Sequence, residues 1–173
     1  MRAFIGLGGN VGDPLSSFVS AVGELRTVGE VSRASSVYAS APRDRLDQPE
    51  FHNAAVELLT ELTPQQLLVE LKSIERRLGR DPDGVRYGPR VIDLDILAID
   101  GRCLVDEELD LVVPHPRLPE RRFALEPLAE LDPDLRPWRG CDDLRIDVSV
   151  VDLLPSVAEQ EVRRVTGQDW LDR

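Results

Sequence analysis

The sequence predicts an α+β fold of the split βαβ, ferredoxin-like kind: a βαββαβ antiparallel sheet with both helices packed on one face. Three observations predict it. Apolar residues recur with strand and helix periods in the order strand, helix, strand, strand, helix, strand between Ala3 and Ile99. Both helical stretches carry recognisable start and stop signals. The chain has 173 residues, 42% hydrophobic and 31% charged, enough for one domain with a proper core.

Ala3 to Gly8 is a short apolar run that ends in the turn Gly8-Gly9-Asn10. Its glycines invite a dinucleotide reading, but Gly6-Leu7-Gly8-Gly9-Asn10-Val11 lacks the third glycine, which counts against a Rossmann fingerprint. Asp13-Pro14 is an N-cap with proline at the first helical position, and Leu15, Phe18, Val19, Val22 and Leu25 hold helical spacing until Gly29. Val31 to Tyr38 is strand-like, and the polar residues 39–50, with two prolines, predict a long loop. Phe51 to Leu59 is the next strand. Thr63-Pro64-Gln65-Gln66 is a capping box opening a helix whose buried stripe is Leu67, Leu71, Ile74 and Leu78, with Gly79 as its stop. Residues 79–90 form a second long loop, and compact domains seldom keep two such loops without a use for them. Beyond residue 100 come acidic residues 106–110, the rigid Pro114-His115-Pro116 and a short helix candidate from Phe123 to Leu131. We take residues 1–173 as a single domain with a core of 3–135 and an extension, 136–173, of uncertain structure.

Composition excludes several classes. No run of about 18 apolar residues exists to span a membrane, and Met1 to Gly6 enters a strand directly, unlike a signal peptide. Net charge of −11 argues against nucleic-acid or anionic-membrane partners. Cys103 and Cys141 fit neither a disulfide framework nor metal-ligand spacing, which predicts a reducing, cytoplasmic setting. Charge is uneven, however: Lys72, Arg76, Arg77, Arg80, Arg86 and Arg90 face only Glu75, Asp81 and Asp83 between residues 72 and 90. Such a local cationic patch on an acidic chain suits a small, highly charged anion, although a solvated helix face accounts for its helical part.

The chemistry concentrates in Gly88-Pro89-Arg90-Val91-Ile92-Asp93-Leu94-Asp95-Ile96-Leu97. Side chains alternate across a strand, so Ile92, Leu94, Ile96 and Ala98 share one face, while Asp93 and Asp95 share the other with Leu97 and Ile99. The two carboxylates lie roughly 7 Å apart along the strand. At the mouth of a core strand they repel and lose hydration, which a divalent cation compensates; carboxylate oxygens suit Mg²⁺. Solvated acids on an edge strand, or acids paired with arginine, also fit a bare Asp-x-Asp. The preceding Arg90, a bidentate phosphate binder, favours a metal–phosphate site. No Gly-Lys-Ser/Thr exists, so phosphate chemistry here would use arginine and metal instead of a P-loop. With two histidines and no nucleophile elbow, triad catalysis has little support. Asn53, unusual within a strand, offers donor and acceptor edges that suit a heterocycle with an amide-like edge, and Phe51 faces the same way. His115, among Arg117, Arg121 and Arg122, fits either a structural or a ligand role.

These residues, in register, resemble 6-hydroxymethyl-7,8-dihydropterin pyrophosphokinase: Gly8-Gly9-Asn10, Gln48 to Ala54, Gly79-Arg80, Gly88 to Leu97, Pro114-His115-Pro116, Arg121, Phe123 and Pro127-Leu128. The resemblance spans about residues 3–135 and itself implies a ferredoxin-like fold. It implies an enzyme that transfers the diphosphoryl group of ATP to the substrate's hydroxymethyl oxygen, giving AMP, in folate biosynthesis. Carried over by position, Asp93 and Asp95 would hold two Mg²⁺ ions, with Arg80 and Arg90 completing the catalytic set. Ser40, Ala41, Pro42, Phe51, Asn53, Tyr87 and Phe123 would bind the pterin. Glu75, Arg80, Arg86, Arg90, His115 and Arg121 would bind ATP. Three departures stand out: Asp81-Pro82-Asp83 where a second basic residue is common, Tyr87 where tryptophan is common, and Arg43-Asp44-Arg45 in place of small residues. The acidic 81–83 segment keeps open a non-catalytic nucleotide- or pterin-binding module. Another Mg²⁺-dependent phosphotransferase on this fold, releasing ADP, is the third reading. The expected state is a cytoplasmic monomer without nucleic-acid or membrane partners.

Overall fold

The computed structural model describes residues 1–42, 46–81, 88–139, 141 and 147–172. Its main sheet is built from β1 (Arg2–Gly9), β2 (Glu30–Ala34), β3 (Val37–Ser40), β4 (Phe51–Leu59), β5 (Asp93–Ile99) and β8 (Val162–Thr166). The hairpin β6 (Leu104–Asp106) and β7 (Leu111–Val113) stands apart. Helices are α1 (Pro14–Leu25), α2 (Pro64–Arg77), α3 (Arg122–Leu131) and the short α4 (Val150–Leu153). The sheet runs β5-β1-β4-β3-β8, with β2 also on β4, and every pairing is antiparallel. The strand expected from Val31 to Tyr38 is therefore two strands. At the break, Ser35 Oγ accepts from Ala55 N at 2.9 Å, and Ser36 N and Oγ both donate to the Glu130 carboxylate at 2.8 Å. The Ser35 hydroxyl and the Glu130 carboxylate thus satisfy backbone N–H groups of Ala55 and Ser36 at the break.

Both helix starts form as the sequence predicts. Asp13 accepts from Leu15 N and Ser16 N at the head of α1, and Thr63 and Gln66 close a reciprocal capping box at α2. These two helices bury Phe18, Val22, Leu25, Leu67, Leu71 and Ile74 against Ile5, Leu7, Val56, Leu58 and Leu94 on one sheet face. The opposite face is not left open: α3, with Leu125, Leu128 and Leu131, packs there on Phe4, Ala55, Leu97 and Ala98. The single helical layer expected from the sequence is one of two, because each sheet face presents its own apolar row.

Strand β5 departs from strict alternation. Ile96 pairs with Ile5 but Ala98 pairs with Phe4, so Leu97 is an extra residue in the ladder. This bulge sends Ala98 to the face that carries the two acids and Ile99 to the other core, reversing the expected placement of those two residues. The Leu97 carbonyl is used instead to accept from His115 N at 2.9 Å.

Cys103 and Cys141 are joined as a disulfide, correcting the reading that they fit no disulfide framework and removing that argument for a reducing setting. The bond closes a loop of 38 residues of sequence separation, stabilising by about 4 kcal/mol on the chain-entropy model. The extension beyond residue 135 is integral to the sheet and core. Its strand β8 pairs with β3, and Trp170 is fully buried, edge-on to Phe18 at 6.1 Å, its Nε1 donating to Ser35 O at 2.8 Å. Trp170→Ala is expected to cost about 3–5 kcal/mol in urea unfolding; a loss below 1 kcal/mol would mean the extension is only laid on the surface.

Glu57 sits on β4, paired with Phe4 of β1 and Arg33 of β2. Burial would raise its pKa, but Arg2 and Arg33 at 2.8 and 2.6 Å, with Ser32 at 2.8 Å, hold it down to about 2. Because the folded value lies below the unfolded one, this stabilisation is complete above about pH 4.5 and drains away as pH falls toward 2. Glu57→Gln is expected to flatten that part of the stability–pH curve in acid unfolding titrations; an unchanged curve would refute the assignment.

Candidate active site

Chain turns and strand ends converge on a cavity of about 900 Å³. Gly6 and Gly8 of β1, Phe51 and Asn53 of β4, and Asp93 and Asp95 of β5 form its floor, since Gly8 pairs with both Asn53 and Asp93. Gly9 has no room for a side chain: a Cβ would lie 2.5 Å from the Val91 carbonyl. That close approach brings the turn after β1 against the Arg90 strand entry. Asn10 then knots three motifs, its N–H and Oδ1 bonding Arg90 O and N at 2.9 Å, and its Nδ2 donating to Pro49 O and Gln48 Oε1.

Of the residues the sequence singles out, Ser40, Ala41, Phe51, Asn53, Arg80, Arg90, Asp93, Asp95, His115, Arg121 and Phe123 line this one cavity. Pro42 lies outside its lining, and Glu75 stands behind it. Arg86 and Tyr87, like Arg43-Asp44-Arg45 and Pro82-Asp83, lie outside the described residues.

Asp93 is gripped by Arg80 Nη1 and by Arg90 Nη1, the latter at 2.5 Å. Burial opposes its charge, but Arg90, Arg80 and Lys72 hold its carboxyl below the ordinary range. Among the described residues Asp95 has no such clamp: burial and the neighbouring Asp93 charge push it up, against Lys72, Arg121 and Arg80. Lys72 Nζ approaches it only to 3.9 Å, and 38% of its side-chain surface stays open. Glu75, 2% exposed, accepts from Leu94 N at 2.6 Å, Lys72 Nζ at 3.0 Å and Arg80 Nη1 at 2.5 Å. Burial pushes its pKa up, and its contacts make it the bracket that sets Arg80 and Lys72 beside β5. Lys72 is a site residue that the sequence pattern did not single out. Two facts pointed to it: it is the chain's only lysine, and its i, i+3 spacing to Glu75 shares a helix face.

Burial and the charges of Arg121 and Arg117 depress His115 to about 4, so its ring is neutral at pH 7. Its Nδ1 accepts from Arg117 N at 3.1 Å, which leaves the ring proton on Nε2. Nε2 lies 3.4 Å from Arg121 Nη1. Two donors facing each other at that distance are matched by a shared anionic oxygen. Across the cavity, Asn53 is 6% exposed and donates to Ser40 Oγ at 2.9 Å. Arg90 lies over the Phe51 ring and Arg121 over Phe123, at 5.6 and 5.7 Å from the centroids. Among the described residues no group of three or more His, Cys, Asp or Glu side chains is placed to hold a metal. Two adjacent carboxylates, Asp93 and Asp95, are hard oxygen donors that would suit a divalent cation such as Mg²⁺.

A cationic end, a pair of adjacent acids and an aromatic–amide end thus meet in one cleft, the equipment of an enzyme class that handles phosphate groups. Residues 4–133 match the family described as 7,8-dihydro-6-hydroxymethylpterin-pyrophosphokinase, and the chain belongs to that family of folate-synthesis pyrophosphokinases. It is 48% identical over 136 residues to the 2-amino-4-hydroxy-6-hydroxymethyldihydropteridine pyrophosphokinase of Methylorubrum extorquens, covering 78% of this chain and 84% of the relative. With the Bacillus subtilis protein of the same description it shares 44% over 131 residues, 75% of this chain and 77% of that one. The match to a folate synthesis bifunctional protein of Arabidopsis thaliana is 42% over 128 residues, 73% of this chain, and spans only 26% of that relative's length. In fold the chain is similar to wild-type Plasmodium falciparum HPPK-DHPS, with TM-score 0.64 at 15% identity over 94% of this chain and 47% of that one.

Proposed function

We propose that this chain is an ATP-dependent diphosphokinase that transfers the diphosphoryl group of ATP to the hydroxymethyl oxygen of 6-hydroxymethyl-7,8-dihydropterin, releasing AMP. The observation that carries the reading is one cavity uniting Asp93, Asp95 and Arg90 with Asn53, Phe51 and Phe123. Family membership and relatives more than 40% identical support it. The reading takes the sheet as ferredoxin-like, since β4 lies between β1 and β2/β3, and β1 between β4 and β5.

In this reading Asn53 hydrogen-bonds the pterin edge, Phe51 and Phe123 stack on its faces, and Ser40, Ala41 and Pro42 border it. Tyr87 adds an aromatic cover. Asp93 and Asp95 are the residues that hold two Mg²⁺ ions, which when bound neutralise phosphate charge and acidify the attacking hydroxyl. Arg80 and Arg90, drawn from Asp93 to phosphate oxygens, stabilise the charge that develops during transfer. His115 Nε2–H and Arg121 donate to further phosphate oxygens, and Arg86 joins the ATP contacts. Glu75 acts toward ATP through Arg80 and Lys72, which it positions. The proposal takes residues 1–173 as one domain that works as a cytoplasmic monomer on small soluble substrates.

Nucleotide product analysis tests this. Protein incubated with ATP, Mg²⁺ and 6-hydroxymethyl-7,8-dihydropterin is expected to form AMP and no ADP, and only when both Mg²⁺ and pterin are present. ADP would mean a different phosphotransferase, and tight pterin binding without turnover a binding module.

A further inference from the structure

The first turn of α3 carries both Arg121 and Phe123, yet it lacks a cap of its own: Arg121 occupies the N-cap position and makes no side-chain cap hydrogen bond. The C-terminal extension supplies one. Gln160 Oε1 accepts from Arg122 N at 3.0 Å, and its Nε2 donates to Glu120 O at 2.9 Å, in the 3₁₀ turn just before α3. Arg122 returns the grip, its Nη1 donating to the carbonyls of Ala158 and Gln160 at 2.8 and 3.0 Å. Two residues after Gln160 the same segment becomes β8, where Val162 pairs with Ser40 of the cavity wall. Arg163 then bonds Glu50, the residue before Phe51, at 2.7 Å. One short stretch therefore reaches three walls of the heterocycle end.

We infer that Gln160 is a positioning residue of the active site: as an external cap on α3 it sets Phe123, and with it the affinity for the pterin substrate. This rests on the reading of the pocket given above. The body of α3 is held independently by Leu125, Leu128 and Leu131 in the second core. Loss of the Gln160 bonds therefore loosens the first turn and leaves the helix in place. The contribution of a stacking ring depends on its placement over the partner's face, so a displaced Phe123 binds a planar heterocycle less well.

The test compares Gln160→Leu, Gln160→Glu and Phe123→Ala, measuring binding of 6-hydroxymethyl-7,8-dihydropterin by calorimetry with a non-hydrolysable ATP analogue and Mg²⁺ present. Gln160→Leu is expected to raise the pterin Kd about tenfold while moving the unfolding midpoint by no more than about 4 °C. Gln160→Glu keeps an acceptor for Arg122 N at a helix start but loses the donor to Glu120 O, and is expected to fall between the parent and Gln160→Leu. Unchanged affinity in Gln160→Leu overturns the inference, as does a large loss of stability with unchanged affinity in the folded protein. If Phe123→Ala weakens pterin binding and Gln160→Leu does not, only the capping role fails. If neither does, the pocket reading itself has failed and the inference with it.

Discussion

Asp95→Ala is expected to lower kcat by about 10³-fold or more, with the protein still folded. Asp95 is the more open of the paired acids and, among the described residues, the one without an arginine ion pair, so its charge is the less neutralised of the two. Asp95→Asn should lose nearly as much, because it preserves shape and removes only the charge. The same variants carry a second expectation of opposite sign. Burial and the Asp93 charge raise the Asp95 pKa in the folded state, so its ionised form opposes folding at neutral pH. Neutralising it should leave stability unchanged or raise it slightly. A single-turnover assay for AMP beside a denaturant titration reads both quantities. Activity within tenfold of the parent would sink the metal assignment. A marked loss of stability would recast Asp95 as a structural ion-pair member.

Asn53→Ala is expected to raise the pterin Kd about 100-fold, with the Kd for ATP moving less than threefold. The side chain is nearly closed to solvent and held by Ser40 Oγ, with its Oδ1 on the Gly8 side, where a Cβ would come within 3.7 Å. A site built to meet a heterocycle's amide-like edge leaves that edge unpaired when its partner is removed, and the penalty is correspondingly large. Asn53→Asp discriminates further, since it replaces donors by a charge and should be as damaging as alanine. Calorimetry on each ligand separately gives the comparison. Equal weakening of both ligands would mean that Asn53 supports the sheet and reads no ligand.

Local chemistry along single elements is legible in the residues themselves. Period two places Asp93 with Asp95 and Phe51 with Asn53, because a strand's side-chain alternation is a property of the backbone alone. Capping residues locate the starts of α1 and α2 for a similar reason: Asp13 and Thr63 satisfy N–H groups within three residues of themselves. The residues that the family resemblance gathers at the cavity also come from well-patterned stretches.

What stays hidden depends on partners distant in the chain. The Leu97 bulge appears only when β5 is laid against β1, and it decides both where Ala98 and Ile99 point and where His115 is anchored. Lys72, Asn10 and Glu75 take their roles from neighbours 22, 80 and 19 positions away, across turns whose geometry no local pattern encodes. Cys103 finds Cys141, Trp170 finds Phe18, and Gln160 finds the head of α3 only after the extension has folded back over the sheet. By itself the sequence determined strands β1, β4 and β5, the capped helices α1 and α2, the paired acids and the aromatic–amide pair, since these follow from short-range sterics, periodicity and residue chemistry. Tertiary structure alone decided which charges neutralise one another, which acid is left open and what holds the walls of the cleft, because burial and ion pairing are set by the groups that packing brings within a few ångströms.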